Sequence, residues 1–235
     1  FLYVSPERLS SELFIARFQR MNISLIAVDE AHCISQWGYD FRPSYLQIAA
    51  IRSYFPNVQV LALTATATPD VQADIQQQLK FRANNLLKKS FERKNLSYVV
   101  RSTENKLQEM LKVIKGVGGT GIVYVRNRKK TRDISDYLIS KGISSTYYHA
   151  GLSMEDRSLV QQQWMSGKVH VMVSTNAFGM GIDKPDVRFV VHTDLPESPE
   201  AYFQEAGRAG RDEKKAWAVL LFHSADRIEL ERRAE

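Results

Sequence analysis

Apolar positions in this chain fall into short unbroken runs, separated by longer stretches in which they recur every three or four residues. The run from Ile23 to Val28 has no polar face after Ser24, which suits a parallel strand covered on both sides. Val58 to Leu63 is a second such run, and Phe1 to Val4 reads as an earlier strand. Arg8 to Gln19 and Tyr45 to Tyr54 carry helical spacing between them. Thr68-Pro69-Asp70 opens a further helix, with Thr68 as N-cap and Pro69 at the first helical position. After Ser97 the alternation resumes. Helices are expected over Glu104 to Lys115, Lys129 to Lys141, Met154 to Met165 and Pro199 to Ala206. Strands are expected over Gly121 to Val125, Ser145 to Tyr148, His170 to Ser174, Arg188 to His192 and Ala216 to Phe222.

This order is that of an α/β protein whose crossover helices join parallel strands. Periodicity fails between Phe81 and Ser97, where polar residues dominate, so residues 84–97 are expected to link a domain over 1–83 to a second over 98–224. Residues 225–235 begin a further linker helix. The first domain holds only three expected strands and looks truncated at its amino end.

Composition narrows the class without naming a function. Hydrophobic residues at 44% and charged residues at 25% exclude a disordered, collagenous or coiled-coil chain. No run approaches eighteen apolar residues, so no membrane span is expected. No secretory leader is expected either, since Phe1-Leu2-Tyr3-Val4 lack a basic region and a cleavage signal. A single cysteine, Cys33, can form neither an internal disulfide nor a cysteine-rich zinc site, so no zinc is expected. That usage fits a reducing compartment, the cytoplasm, with nucleoid association if the source is bacterial. The 32 Lys/Arg minus 26 Asp/Glu leave +6, a surplus that attracts polyanions.

Four segments carry candidate chemistry. Asp29-Glu30-Ala31-His32 follows the Leu25 to Val28 run directly, which places two carboxylates at the carboxyl edge of a parallel sheet. An Asp there can hold Mg²⁺, usually through water, and the adjacent Glu can orient and deprotonate an attacking water. Thr64-Ala65-Thr66 ends the next run, beside that site, where two hydroxyls could relay the presence of a nucleotide; alone, the same residues also serve as ordinary turn and cap. Gln204-Glu205-Ala206-Gly207-Arg208-Ala209-Gly210-Arg211 presents two guanidinium groups on one side of a short turn, as phosphoryl transfer requires. Trp37, Tyr39 and Phe41 alternate with Gly38 and Asp40 ahead of Arg42, an aromatic loop suited either to stacking on unpaired bases or to anchoring in a core. Gly116, Gly118 and Gly121 match a dinucleotide spacing but follow a helix and precede a strand, the reverse of a phosphate loop. No GxxxxGK(S/T) motif occurs.

Together these segments resemble the helicase core of the RecQ family of DNA helicases, from the first residue to about Ser224. The matching motifs are DEAH joined to CISQWG and DFRPSY, LALTATAT at Leu61 to Thr68, and GIVYVRNR ending at Arg128. YHAGLS at Tyr148 to Ser153, STNAFGMGIDKPDVRFVVH from Ser174 and YFQEAGRAGRD from Tyr202 complete the set. The resemblance implies two RecA-like lobes closing on ATP and Mg²⁺, with single-stranded or forked DNA as partner and 3′ to 5′ translocation. It implies Asp29 as the Mg²⁺ acid, Glu30 as catalytic base and His32 as the link to the neighbouring motif, with Thr64, Thr66, Asp183, Gln204, Arg208 and Arg211 on the nucleotide. Arg211 is the stronger candidate for an arginine finger. On the DNA side it implies Ser5, Arg8, Trp37, Tyr39, Phe41, Arg42, Arg128, His149, Ser174 and Thr175.

Tyr39 departs from the family's usual histidine, and Arg126-Asn127 from its frequent Asn-Ser. The family's amino-terminal phosphate loop is absent from these residues, so the chain alone is expected to hydrolyse ATP poorly. Two rivals remain: a non-catalytic DNA-binding scaffold, and an RNA-directed DEAH-type ATPase.

Overall fold

The computed structural model describes all residues except Tyr39, Phe91, Met180, Gly181 and 227–235, so the expectations for Tyr39 and for most of the terminal linker helix lie outside the described residues. The chain divides into two compact units, residues 1–90 and 91–235.

In the first unit, β1 (Leu25–Val28) and β2 (Gln59–Ala62) pair in parallel, with Val28 opposite Ala62. The helices around them are α1 (Glu12–Phe18), α2 (Leu46–Ile51) and α3 (Pro69–Gln78). Thr68 caps α3, its side chain accepting from the Val71 N–H, and Pro69 begins it. Ile26, Val28, Val60 and Ala62 pack against Ile34, Val71, Ile75 and Leu79. The opposite face is not covered by the described residues: Leu25, Leu61 and Leu63 remain 53%, 44% and 46% exposed. The strands are thus parallel as their sequence implied, but covered on one side rather than two. Phe1 to Val4 is not a strand, because no described strand takes up its backbone hydrogen bonds. The expected helix from Arg8 is split, a 3-10 turn over Pro6–Ser10 preceding α1, whose N-cap is Ser11.

The second unit is a six-stranded, wholly parallel sheet in the order β3-β8-β7-β4-β6-β5. Its strands are β3 (Leu96–Ser102), β4 (Thr120–Tyr124), β5 (Ser145–Tyr148), β6 (Val171–Ser174), β7 (Val187–His192) and β8 (Ala216–Phe222). The crossovers include α4 (Lys106–Val117), α5 (Arg128–Ser140), α6 (Met154–Met165) and α7 (Pro199–Ala206). Alternation along β4 feeds two cores. Ile122 and Tyr124 join Trp164, Met172, Phe178 and Val190 on one face, while Val123 joins Met110, Ile114, Leu138, Phe189 and Val191 on the other. Each such fully buried aliphatic or aromatic side chain contributes ~1.5–3 kcal/mol.

β3 is a strand that the sequence pattern did not reveal. It lies at the sheet edge, where Tyr98 and Val100 stay 42% and 67% exposed and polar residues interrupt the run. Gly118 ends α4 with φ +69°, which only glycine adopts readily, so the glycine triplet there caps a helix and forms no phosphate loop.

Candidate active site and nucleic-acid surface

The carboxyl edge of the first sheet is stitched by backbone. The Leu63 N–H donates to the Val28 carbonyl at 2.8 Å and the Ala31 N–H to the Leu63 carbonyl at 2.9 Å. This holds the DEAH and TAT segments side by side. Asp29 is exposed, and its Oδ1 accepts from the Glu30 N–H at 2.9 Å. Glu30 sits in the left-handed region, at φ 48° and ψ 42°, a conformation that costs a non-glycine residue ~1–3 kcal/mol and clusters at functional sites.

His32 is 1% exposed, with Nδ1 at 3.0 Å from Thr64 Oγ1 and 3.4 Å from Glu30 Oε2. Burial pushes its pKa below the ordinary value; Asp40 pulls it up and Arg42 pushes it down, so the neutral ring is favoured. Thr64 Oγ1 also accepts from the Thr66 N–H at 3.3 Å. The Thr66 hydroxyl is buried with no hydrogen-bond partner among the described residues.

The aromatic loop leaves from this histidine. Gly38 is forced by space: a Cβ there would lie 2.9 Å from the His32 carbonyl oxygen. Trp37 projects outward at 79% exposure, whereas Phe41 is half-buried. Arg42 Nη2 bonds Asp40 Oδ2 at 2.6 Å. Burial would raise the Asp40 carboxyl, but the Arg42 hydrogen bond and charge outweigh it and hold it low. Cys33 is buried at the loop's base, and burial pushes its thiol up to about 12. His32, Cys33 and Asp40 bring their ligand atoms within 4.8 Å of one another. The Arg42–Asp40 bond and the Cys33 Sγ–Asp40 Oδ2 contact at 3.6 Å tie this cluster together as the hydrogen-bonded base of the loop. Ser5 and Arg8 are exposed at the 3-10 turn near the amino end, where the Arg8 N–H donates to the Ser5 carbonyl at 3.0 Å.

In the second unit Arg128 begins α5, followed by Lys129 and Lys130, with no acid in the first turn. Cations there oppose the helix dipole, so the arrangement suits an anion at the helix amino end. Gly151 leaves the neighbouring space open: a Cβ would lie 3.2 Å from His149 Nδ1 and 3.3 Å from Arg128 Nη1. That His149 nitrogen is buried and has no hydrogen-bond partner among the described residues.

Ser174 is 0% exposed, and its hydroxyl donates to the Tyr148 carbonyl at 2.9 Å, tying β6 to β5. Thr175 is also buried, accepting from the Ala177 N–H at 3.4 Å, while Asn176 beside it is exposed.

The two arginines lie just past α7, where Gln204 is half-buried. Arg211 Nη1 bonds Asp183 Oδ1 at 2.9 Å and the Ile182 carbonyl at 3.2 Å. Arg208 Nη1 donates to the Gly179 carbonyl, and a Cβ on Gly179 would fall 2.3 Å from Arg208 Nη2. Gly179, Tyr124, His192 and Glu205 surround this arginine but were not singled out from sequence. A buried tyrosine or histidine within an apolar strand looks like core until its polar atom is seen to have a partner.

Comparison with known proteins accords with this geometry. Residues 1–75 match the DEAD/DEAH box helicase family, and residues 103–213 match the helicase conserved C-terminal domain. The chain is 44% identical over 226 residues to the ATP-dependent DNA helicase RecQ of Pasteurella multocida, covering 96% of this chain and 36% of that relative. It is 42% identical over 246 residues to the RecQ-like DNA helicase blm-1 of Caenorhabditis elegans, covering 100% of the chain and 25% of the relative. With the probable ATP-dependent DNA helicase RecS of Bacillus subtilis, identity is 41%, covering 94% of the chain and 45% of the relative. The chain thus spans between a quarter and a half of the length of these proteins. Among solved structures, Saccharomyces cerevisiae Dbp5 bound to RNA and ADP BeF3 superposes with a TM-score of 0.70 at 23% identity, covering 94% of the chain and 59% of that structure. A DEAD box protein from Methanococcus jannaschii gives a TM-score of 0.59 at 23% identity, covering 98% and 62%. These likenesses establish parallel sheets and helices in the manner of RecA-like helicase lobes. In sequence, in its motifs and in the fold that carries them, the chain belongs to the RecQ family of helicases.

Proposed function

We propose that this chain is the part of an ATP-dependent 3′–5′ DNA helicase that carries the hydrolytic acids, the aromatic loop and the second lobe. The observation that carries the reading is the Asp29-Glu30-His32 cluster at the carboxyl edge of β1, hydrogen-bonded through His32 to Thr64. Asp29 is exposed and its Oδ1 is held by one backbone N–H, a hard oxygen donor suited to Mg²⁺ or to one of its waters. When bound, Mg²⁺-ATP would supply the γ-phosphoryl group and the charge that polarises it.

Glu30 is the residue proposed to orient and deprotonate the attacking water, in a backbone conformation that fixes where its carboxylate starts. Neutral His32 holds Thr64 and lies against Glu30, linking the acids to the TAT segment. Arg208 and Arg211 are the cations proposed for the charge that develops on the phosphoryl oxygens. Trp37 is the proposed stacking surface for an unpaired base. Arg128, which begins α5, and His149, which shares the space beside Gly151 with it, are proposed to receive a backbone phosphate. In the first unit, Ser5 and Arg8 are separately proposed to contact DNA. Asp183, bonded to Arg211, and Gln204 are proposed to lie on the nucleotide.

The phosphate loop that would cradle the nucleotide has no counterpart in these residues, so the chain by itself is proposed to turn over ATP slowly or not at all. The test measures Mg²⁺-ATP turnover by the full-length protein carrying this chain, with and without single-stranded DNA, and Glu30→Gln as control. Turnover stimulated by DNA and abolished by Glu30→Gln supports the helicase reading. Salt-sensitive DNA binding without turnover supports the scaffold. Stronger stimulation by RNA than by DNA would point to an RNA-directed ATPase.

A further inference from the structure

Tyr124 ends β4 at 3% exposure, and its hydroxyl donates to the Phe178 carbonyl at 2.8 Å. Its ring stacks on His192 with centroids 5.3 Å apart and planes 21° apart. His192 ends the adjacent strand β7 at 1% exposure, and its Nε2 lies 2.8 Å from Glu205 Oε2 in the last turn of α7. Three residues on, Arg208 Nη1 donates to the carbonyl of Gly179, the neighbour of Phe178. The path closes on itself: Phe178, Tyr124, His192, Glu205, Arg208, Gly179.

Filling space does not explain this ring. A phenylalanine would occupy the Tyr124 position without a hydroxyl to satisfy, and burying a phenol, an imidazole and a carboxylate costs free energy unless each finds a partner. Burial raises the Tyr124 pKa, and the nearby Arg208 charge opposes that rise. The ring also borders a cavity of about 250 Å³ lined by Tyr124, Asn176, His192 and Glu205 among others. The 178–179 turn lies just after exposed Asn176, and the arginine lies just after α7. Two segments 29 residues apart thus share one buried polar network.

We infer that Tyr124, His192 and Glu205 are positioning residues that lock the 178–179 turn and the Arg208 guanidinium into one unit, so that displacing the turn displaces the arginine. This rests on the reading of Arg208 as a phosphoryl-transfer cation.

Tyr124→Phe removes the hydroxyl and keeps the ring. Hydrogen exchange on the chain itself follows three amides: Phe178, bonded to the Thr175 carbonyl, Ile182, bonded to the Gly179 carbonyl, and Ala209, bonded to the Ala206 carbonyl, each at 3.1 Å. The expected result is that all three exchange ~10-fold faster together while the β5–β6 amides are unchanged. Faster exchange at Phe178 alone, or at none of them, overturns the inference. Should the variant loosen everywhere, Glu205→Gln, which leaves the tyrosine contact intact, repeats the comparison and decides.

In the full-length protein carrying this chain, Tyr124→Phe should lower DNA-stimulated kcat ~10-fold, with KM for ATP within about twofold, and should add nothing to the loss in Arg208→Ala. Additive losses would show that Tyr124 acts independently of the arginine. Absence of turnover in the wild type would sink the helicase reading, while the exchange result would still decide the coupling.

Discussion

Gly179→Ala isolates what the Arg208 position is worth. The Gly179 φ is not in the left-handed region, so its backbone accepts an alanine without strain. Only space forbids it. The new methyl carbon would lie 2.3 Å from Arg208 Nη2 and 2.8 Å from Cζ. Those atoms are the far end of a flexible side chain, so the guanidinium swings away while the core stays put. The folding cost is then one charge-assisted hydrogen bond, the one to the Gly179 carbonyl, at most ~1.5–3 kcal/mol. At ~2–4 °C per kcal/mol for a chain of this size, Tm should fall by no more than ~12 °C. The functional cost is larger, because a reacting group misplaced by about an ångström loses ~100-fold in rate. The expected outcome is a folded protein whose DNA-stimulated kcat is down ~100-fold and matches Arg208→Ala within a factor of about three. Thermal melts and steady-state ATPase on the full-length protein check both halves. Retention of kcat within about threefold of wild type would refute the placement of Arg208, the contact with Gly179, or both.

Gly121→Ala should behave oppositely: its Cβ would lie 2.0 Å from the Cε2 of the fully buried Phe189 ring, so urea unfolding should show a loss of ~1–3 kcal/mol or more. Trp37→Ala should leave the melting temperature unchanged, since the side chain is 79% exposed, and weaken single-stranded DNA binding by ~1–3 kcal/mol in a fluorescence-anisotropy titration. His32 provides a pH signature. Its folded pKa is depressed by burial, so the native state takes up the imidazole proton less readily than the unfolded chain. That contribution to stability is complete above the ordinary value of 6.5 and is lost as pH falls below it. Urea midpoints from pH 7.5 to 5.5 should therefore drop more steeply in the wild type than in His32→Asn, and parallel curves would contradict the assignment.

Much of this protein was legible in the chain because local rules and tertiary structure agree there. Ser145–Tyr148, Met154–Met165, Pro199–Ala206 and Ala216–Phe222 fall at the bounds expected from the sequence: Ser153 and Ser198 cap the two helices, and Ala216–Phe222 is an apolar run whose residues are largely buried. The acidic pair was legible for the same reason, following an apolar run with no room for a loop before it. Where burial is partial the pattern fades. Edge strand β3 alternates too weakly to be seen, and Phe1 to Val4 is apolar enough to suggest a strand yet has no described neighbour to pair with.

Tertiary structure alone decided which polar atoms meet. Nothing in the sequence shows that the Ser174 hydroxyl is directed to a carbonyl on the next strand. Likewise Tyr124 and His192, apolar in context, carry hydrogen bonds that join segments 54 and 13 residues away. Hydrophobic burial is non-directional and can be read from composition along the chain. Hydrogen-bond satisfaction depends on distances of about 3 Å and on angles, which exist only once the chain has folded.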